Sequence, residues 1–404
     1  MNLTHRERIS TTLHHVEPDR VPIDLGGTVD SSIAVVPYRE LRKHLELDAR
    51  TIRVADVCQQ AVLLDEDVRG ALGIDTVSIQ YEPEEWRTDE LTYDFTVQFP
   101  ARFQPEVQED GSQVVLDSAR NVLLRMPKEG YYFDSMYSPL AEATGVDDID
   151  RHMRALESYD RPAYLDKSYE QLAQEAKDLY ENSDHLLVGF FGGHIFQSSQ
   201  SLRGWETFLM DLIANRKFAE ALMDRFLQVN IERFARYADT IGKYVQVIHF
   251  EDDLGMQDRP LLSPELYRRM VKPYHKRLYG FVKSHCDAYL MLHSDGSVFP
   301  LIPDFIEMGI DILNPVQVSA KDMDTKRLKR EFGQDIAFWG AGCDSQEILP
   351  FGTPEEVRDE VKRRIDDLAP GGGFVFSPIH NVQSGVPLEN IVAMFETVRE
   401  YGVH

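Results

Sequence analysis

The sequence predicts an α/β protein built as a closed (β/α)8 TIM barrel, with a small antiparallel β insertion near the barrel mouth. Three observations carry that expectation. Short apolar, β-branched runs alternate with longer amphipathic stretches, and near-continuous hydrophobic runs are what parallel strands covered on both faces require. About eight such β-then-α units follow one another, the count of a closed barrel. The runs end in Gly, Asp, His or Asn, at the strand exits where such barrels carry their chemistry. A doubly wound open sheet is the alternative. It usually carries a glycine-rich phosphate loop after the first strand, which "IDLGGTVDSS" matches poorly. No fixed-period repeat is present, and residues 1–404 read as a single barrel domain with its insertion at about 81–147.

The strand candidates are, in order, "RVPIDLGG" (Arg20–Gly27), "DTVSIQ" (Asp75–Gln80), "HLLVGFFGG" (His185–Gly193) and "VQVIHFEDD" (Val245–Asp253). "AYLMLHSDG" (Ala288–Gly296), "DILNPVQ" (Asp311–Gln317), "IAFWGAGCD" (Ile336–Asp344) and "GFVFSPIHN" (Gly373–Asn381) complete the set. Between them, "SYEQLAQEAKDLYEN" and the long stretch from Trp205 to Gly242 read as helix. "SPELYRRMVKPYHKRLYGFVKSH" reads as one helix that opens on Ser263 as N-cap with Glu265 in the first turn. "TPEEV" opens on a Thr-Pro start, and "PLENIVAMFETVREYG" closes on Gly402. From Tyr81 to Asp147 the helical period disappears, and "EDGS" and "DSARN" read as hairpin turns. Gly371–Gly373 precede a strand and read as a tight turn rather than a phosphate cradle, and Arg203 reads as a surface residue.

A chain of 404 residues, 43% hydrophobic, can bury a large core. Its formal charge of −25 disfavours nucleic-acid partners, which need basic patches to replace phosphate counterions. Three widely spaced cysteines, Cys58, Cys286 and Cys343, argue against a disulfide framework and for a reducing compartment. "MNLTHRERIS" has no apolar leader segment, and no run approaches the ~18 residues that span a bilayer. The expectation is a soluble cytoplasmic protein without membrane partners.

Turns favour Gly, Asn, Asp and Ser; the strand ends here also carry His and Cys. Asp24 closes the first run, His194 the third, and His249, Glu251, Asp252 and Asp253 the fourth. His293 and Asp295 close the fifth, Asn314 and Gln317 the sixth. Cys343, Asp344 and Gln346 close the seventh, and His380, Asn381 and Gln383 the eighth. His, Cys and carboxylate are metal ligands, so His293 and Cys343 are candidates to share an ion, with Glu251, Asp253, Asp295 or His380 as the third ligand. The same histidines could equally bind substrate by hydrogen bonds without a metal. Asp252 and Asp253 are adjacent and cannot face one way on an extended strand; one points into the barrel and the other caps the next turn. Asp295, His380 and Asp252 are the catalytic candidates. Asp24, His194, Asn314, Gln317, Asp344, Gln346, Asn381 and Gln383 are candidates to bind substrate.

The blocks "RERISTTLHHVEPDRVPIDLGG", "DDLGMQDRPLLSPELYRRMVKPYHKRL", "HSDGSVFPLIPDFIEMGIDILNPVQ", "WGAGCDSQEILPFGTPEEV" and "GGGFVFSPIHNVQSGVPLENI" resemble uroporphyrinogen decarboxylase-like proteins, in the same order and over nearly the whole chain. The resemblance implies a (β/α)8 barrel with a deep cleft at the strand C-termini. Porphyrinogen decarboxylases hold substrate carboxylates with an N-terminal Arg-Gln-Ala-Gly-Arg element; "DLGGT" stands there with no arginine. The chain is more similar to the cobamide-dependent methyltransferase and demethylase branch. Its thiol-activating members hold zinc with a His-x-Cys pair and a later Cys. His293 and Cys343 match, but Asp295 stands for the pair's Cys, which hardens the site against a thiolate and favours an oxygen-bearing substrate such as a methyl ether.

The resemblance therefore implies methyl transfer between a small molecule and a corrinoid supplied by a partner protein, since the Asp-x-His-x-x-Gly corrinoid loop is absent. Zinc is the implied metal, acting as a Lewis acid on a substrate heteroatom, and Asp295 or His380 manages a proton. A homodimer is the assembly to look for. A decarboxylase or lyase of some other small acid on the same barrel is the alternative.

Overall fold

In the computed structural model, residues 3–89, 93–117, 119–152 and 162–403 are described. Seven parallel strands pair in sequence order into one curled sheet: β1 (Thr76–Ile79), β2 (Leu186–Gly192), β3 (Val247–Glu251), β4 (Tyr289–His293), β5 (Ile312–Asn314), β6 (Ala337–Ala341) and β7 (Phe374–Ser377). The eighth stave is much shorter than its sequence run. Only residues 22–24 take part: Phe376 N–H donates to the Pro22 carbonyl, Asp24 N–H to the Phe376 carbonyl, and Asp75 N–H to the Ile23 carbonyl. This segment touches both outer strands, β7 and the entrance to β1, and so closes the barrel.

Strand side chains alternate between the two faces. Leu186, Val188, Val247, Met291, Ile312, Ala337, Trp339 and Val375 point inward and form one apolar layer. The helix α1 (His5–Leu13) adds Ile9 and Leu13 to that layer and seals the N-terminal end of the barrel. Buried Asp75 pins it there, accepting from His5 Nδ1 at 2.6 Å, Arg8 at 2.7 Å and Arg20 at 2.8 Å. The opposite faces of the strands pack on helices that include α2 (Phe196–Arg203), α3 (Arg216–Asp239), α4 (Lys272–Lys283) and α5 (Pro354–Leu368). Ser263 caps its helix, but that helix ends at Met270 and a new one starts at Lys272, where Pro273 occupies the first turn.

The antiparallel region is larger than its sequence pattern suggests. One four-stranded sheet joins Trp86–Asp89 and Val97–Pro100 to Ile52–Asp56 and Ala61–Val62, which the sequence reading left unassigned. A second sheet runs from Glu106 to Ser135. Residues 90–92 and Ser118, within the region read as insertion and its "DSARN" turn, lie outside the described residues. Arg203, read as a surface residue, is buried and donates to Asp211 and to the carbonyls of Leu140, Ala141 and Ala143. Gly371, Gly372 and Gly373 all adopt positive φ in the turn before β7.

Candidate active site

Above the apolar layer the inward positions turn polar. The β3 alternation that points Val247 inward also points His249 and Glu251 inward, and on β4 it does the same for His293 after Met291. His293 Nδ1 lies 2.8 Å from Asn314 Oδ1. Asn314 Nδ2 donates to the Trp339 carbonyl, which fixes the amide so that its oxygen accepts and His293 Nδ1 carries the proton. His380 repeats the pattern. Its Nδ1 lies 2.5 Å from Asn381 Oδ1, which also accepts from the Tyr132 hydroxyl at 2.9 Å. Tyr132 comes from the second antiparallel sheet region and in turn accepts from Gln383 Nε2. Both imidazoles thus turn Nε2 toward Asp295, whose Oδ2 is 3.8 Å from His293 Nε2 and 3.9 Å from His380 Nε2.

Asp30, from the loop after the first stave, enters from the opposite side. Its Oδ1 is 3.7 Å from His380 Nε2 and accepts from Gln59; its Oδ2 is 3.7 Å from His249 Nε2 and 3.8 Å from His293 Nδ1. His249 is fully buried, and among the described residues neither of its nitrogens, nor Asp30 Oδ2, nor Glu251 Oε1 has a hydrogen-bond partner. Glu251 Oε2 meets His194 Nε2 at 2.8 Å.

Electrostatics separates these groups. Burial opposes ionisation of Asp30, but His293, His249 and His380 overcome it and hold the carboxyl far below the usual range. Burial and the neighbouring Asp30 push Glu251 up to about 8, so it carries a proton at neutral pH. Burial pushes His249 down to about 3, so it stays neutral. His293 resists burial through Asp30 and Asp295 and stays cationic well above the usual histidine range.

The cluster opens into a cleft of about 570 Å3 at the C-terminal end of the barrel. Asp295, His380 and Asn381 lie at its polar end, Gln257 and Gln317 on one wall, and Tyr131 and Tyr132 on another. Phe351, 85% exposed, stands on the rim. No lysine or arginine is found among the described residues that line it.

Several expectations need correction. Cys343 does not join His293. Two groups of potential ligands have their donor atoms within 4.8 Å of one another among the described residues, Asp30–His249–His293 and His293–Asp295–His380, and the thiol is in neither. Strand β6 stops at Ala341, and the left-handed backbone at Gly340 (φ 119°) and Ala341 (φ 59°) breaks the alternation. The thiol ends up buried, with Glu360 and Arg364 of α5 among its charged neighbours, and burial pushes its pKa up.

Asp252 is not among the residues that line the cleft. One position beyond inward Glu251, it faces outward, accepts from the N–H groups of Ile195, Phe196 and Gln197, and from His275 at 2.8 Å. It caps α2 and ties it to α4. Asp253 accepts from Asp295 N–H and Gln197 rather than standing in either ligand group. Glu251 is outside both groups too, paired to His194. Asp24 is fully buried and spends its oxygens on Gly27 N–H, Thr76 and Trp339 Nε1, below the cleft.

The remaining candidates divide. Gln317, Gln346, Asn381 and Gln383 line the cleft; Asn314 orients His293, and His194 holds Glu251. Asp344 closes its own turn by accepting from Gln346 and Glu347 N–H. The sequence reading missed Asp30 and Tyr132 as parts of this constellation, and named His249 among the strand-end polar residues without giving it a role. His249 carried a signal, its two-residue spacing from Glu251 on an apolar strand.

A family profile described as "Uroporphyrinogen decarboxylase (URO-D)" matches residues 139–401, more than half of the chain. A protein named uroporphyrinogen decarboxylase from Crocosphaera subtropica is 24% identical over 330 residues, 77% of this chain and 82% of that one. One of the same name from Synechocystis is 26% identical over 220 residues, 53% of this chain and 58% of that one. A methylated-thiol–coenzyme M methyltransferase from Methanosarcina mazei is 28% identical over 140 residues, 35% of this chain and 34% of its own length. A solved structure described as a methyltransferase from Methanosarcina mazei shares the fold over 99% of both chains, with a TM-score of 0.60 and 16% identity.

Proposed function

The chain belongs to the uroporphyrinogen decarboxylase family, and from that membership we propose that it is a methyltransferase working between a small methylated molecule in the cleft and the corrinoid of a separate protein. The observation that carries this reading is the cleft lining. Tyr132, Ile379, Val386 and four glutamines offer apolar and neutral contacts, and no described lining residue is a lysine or arginine. A porphyrinogen presents many carboxylates and needs cations around it; a small neutral ether or amine does not. The stretch shared with the methanogen thiol methyltransferase, at 28% identity, favours methyl transfer within the family.

The chain's own part is binding and orientation. The apolar wall and Gln257 and Gln317 seat the substrate, with its heteroatom toward Asp295 and His380 and its methyl group toward the open mouth. In the demethylating direction the carbon–heteroatom bond breaks, the methyl bonds to reduced cobalt, the electron pair stays on the heteroatom, and that atom takes up a proton. A divalent cation such as zinc, held by imidazoles and carboxylates of the His293 cluster, would supply Lewis-acid polarisation of that heteroatom when bound.

The test is incubation of the protein with methylcobalamin, or with reduced cobalamin and methylated phenols, amines and thiols, followed through the cobalt absorbance. Methyl transfer to or from at least one partner is expected; an unchanged spectrum across the panel overturns the reading. The relatives named uroporphyrinogen decarboxylase favour a second one, decarboxylation of another small acid. Release of CO2 without cobalamin would establish it.

A further inference from the structure

We propose that the small cavity on the far side of Tyr131 is a second subsite of the cleft, and that it takes a zwitterionic tail, one ammonium and one carboxylate, of the molecule whose methyl group is transferred. The substrate class is then a methylated amino acid. The proposal deepens the methyltransferase reading and rests on it only for the chemistry at the methyl end.

Tyr131 belongs to both spaces. It lines the cleft beside Tyr132, and it also lines a cavity of about 250 Å3 with Gln60, Tyr93, Gln113, Lys128 and Glu129. Ser384 lines that cavity while its neighbours Gln383 and Gly385 line the cleft, so one wall separates the two. The wall stands next to the reacting end, because Tyr132 donates to Asn381 Oδ1, the atom that faces His380 Nδ1. Pockets that hold a whole small ligand run to roughly 300–1,000 Å3. The second space is smaller and fits a group rather than a molecule.

The local sequence puts opposite charges there. Gln113 pairs with Met126 in the second antiparallel sheet, and a turn follows in which Gly130 N–H donates to the Pro127 carbonyl. The two central positions of that turn are Lys128 and Glu129. The Lys128 stem lies across Gly111, where an added Cβ would come within 2.8 Å of the lysine Cδ. Both charged side chains are exposed, and among the described residues neither has an ion-pair or hydrogen-bond partner. The inner wall is neutral, with the Gln60 amide engaged by the Val57 carbonyl and the Tyr93 hydroxyl. A tail carrying only a carboxylate would meet Glu129, and one carrying only an ammonium would meet Lys128; a zwitterion satisfies both. A net-neutral ligand also escapes the repulsion that a chain of charge −25 imposes on an anion.

The experiment is isothermal titration calorimetry of the full-length protein with O-methyl-L-tyrosine and O-methyl-L-homoserine. Each is compared with analogues in which the carboxylate, the ammonium or both are replaced by hydrogen. At least one of the two amino acids should bind, and removal of either charge should weaken it about two- to fivefold, the scale of a partly exposed ion pair. Lys128→Gln should bind the zwitterion no better than its carboxylate-free analogue, and Glu129→Gln no better than its ammonium-free analogue. Circular dichroism confirms that each variant folds.

Three results would overturn the proposal: neither amino acid binds, the charge-free analogues bind as tightly as the zwitterions, or the parent's ranking survives in either variant. Because binding is read directly, methyl transfer to or from cobalamin with a flat ranking would sink the subsite and spare the function. Charge-dependent binding without methyl transfer would do the reverse.

Discussion

At the scale of single residues, neighbours in sequence carry opposite duties. Glu251 faces the barrel interior and Asp252 the helix layer, because strand period 2 sends them to opposite faces. Asp252→Ala should leave three helix N–H groups and His275 without their acceptor, costing about 3–5 kcal/mol. Denaturant titration will read it, with the per-molecule activity of the folded fraction largely kept. Tyr132→Phe should do the opposite. It removes only the hydroxyl that steadies Asn381 and, through it, His380. Stability should change by about 1 kcal/mol, while kcat/KM of the methyl-transfer assay should fall about ten- to a hundredfold. Asp30 shows where residue-level reading stops. It sits in an irregular loop, "GGTVDSS", with no periodicity to say which way its side chain points, and only the folded chain brings it to His249 and His380.

At the scale of elements, the alternation of apolar runs and amphipathic stretches was enough to place all eight staves, because buried parallel strands have few other sequence solutions. Their ends were harder to place. The first stave shrinks to residues 22–24 and β6 ends at Ala341, where positive φ at Gly340 and Ala341 turns the chain before Cys343. Neither the bend nor the pairing of Ile52–Asp56 with the insertion is written in hydrophobic periodicity. The "HSDG" turn is explained by contact. Gly296, at φ 86°, lies against the Gly255 backbone, and an added Cβ would come within 2.6 Å of the Gly255 carbonyl carbon. Gly296→Ala should cost about 1–3 kcal/mol and displace Asp295 beside it, seen as a lowered Tm and lost activity together.

The α1 plug offers a pH test. Burial opposes the ionised form of Asp75, but His5 and Arg20 prevail and hold its pKa below the ordinary 3.8. A depressed carboxylate stabilises the fold above its unfolded pKa, and that stability is lost as pH falls through the lower folded value. Asp75→Asn should be less stable than the parent by about 3–5 kcal/mol at pH 7. The gap should narrow on acidification below pH 3.8 in urea melts across the pH range.

At the scale of the whole molecule, charge and cleft agree. A net charge of −25 and a mouth carrying Asp295 and Gln side chains repel a polycarboxylate before it arrives, and the described lining residues offer it no lysine or arginine when it does. Uroporphyrinogen should therefore yield no CO2 above the buffer control when incubated with the protein, despite the family to which the chain belongs. No helix among the described residues is long and apolar enough to cross a membrane.

The seal that Ile9 and Leu13 make at the base of the barrel has its own consequence. A tube stoppered at one end opens at the other, so on the proposed methyl-transfer reading donor and acceptor of the carbon would share that doorway in turn. On that same reading the smaller guest would have to be inside before a bulky carrier closed over the entrance, and an excess of the carrier should slow turnover by shutting the guest out.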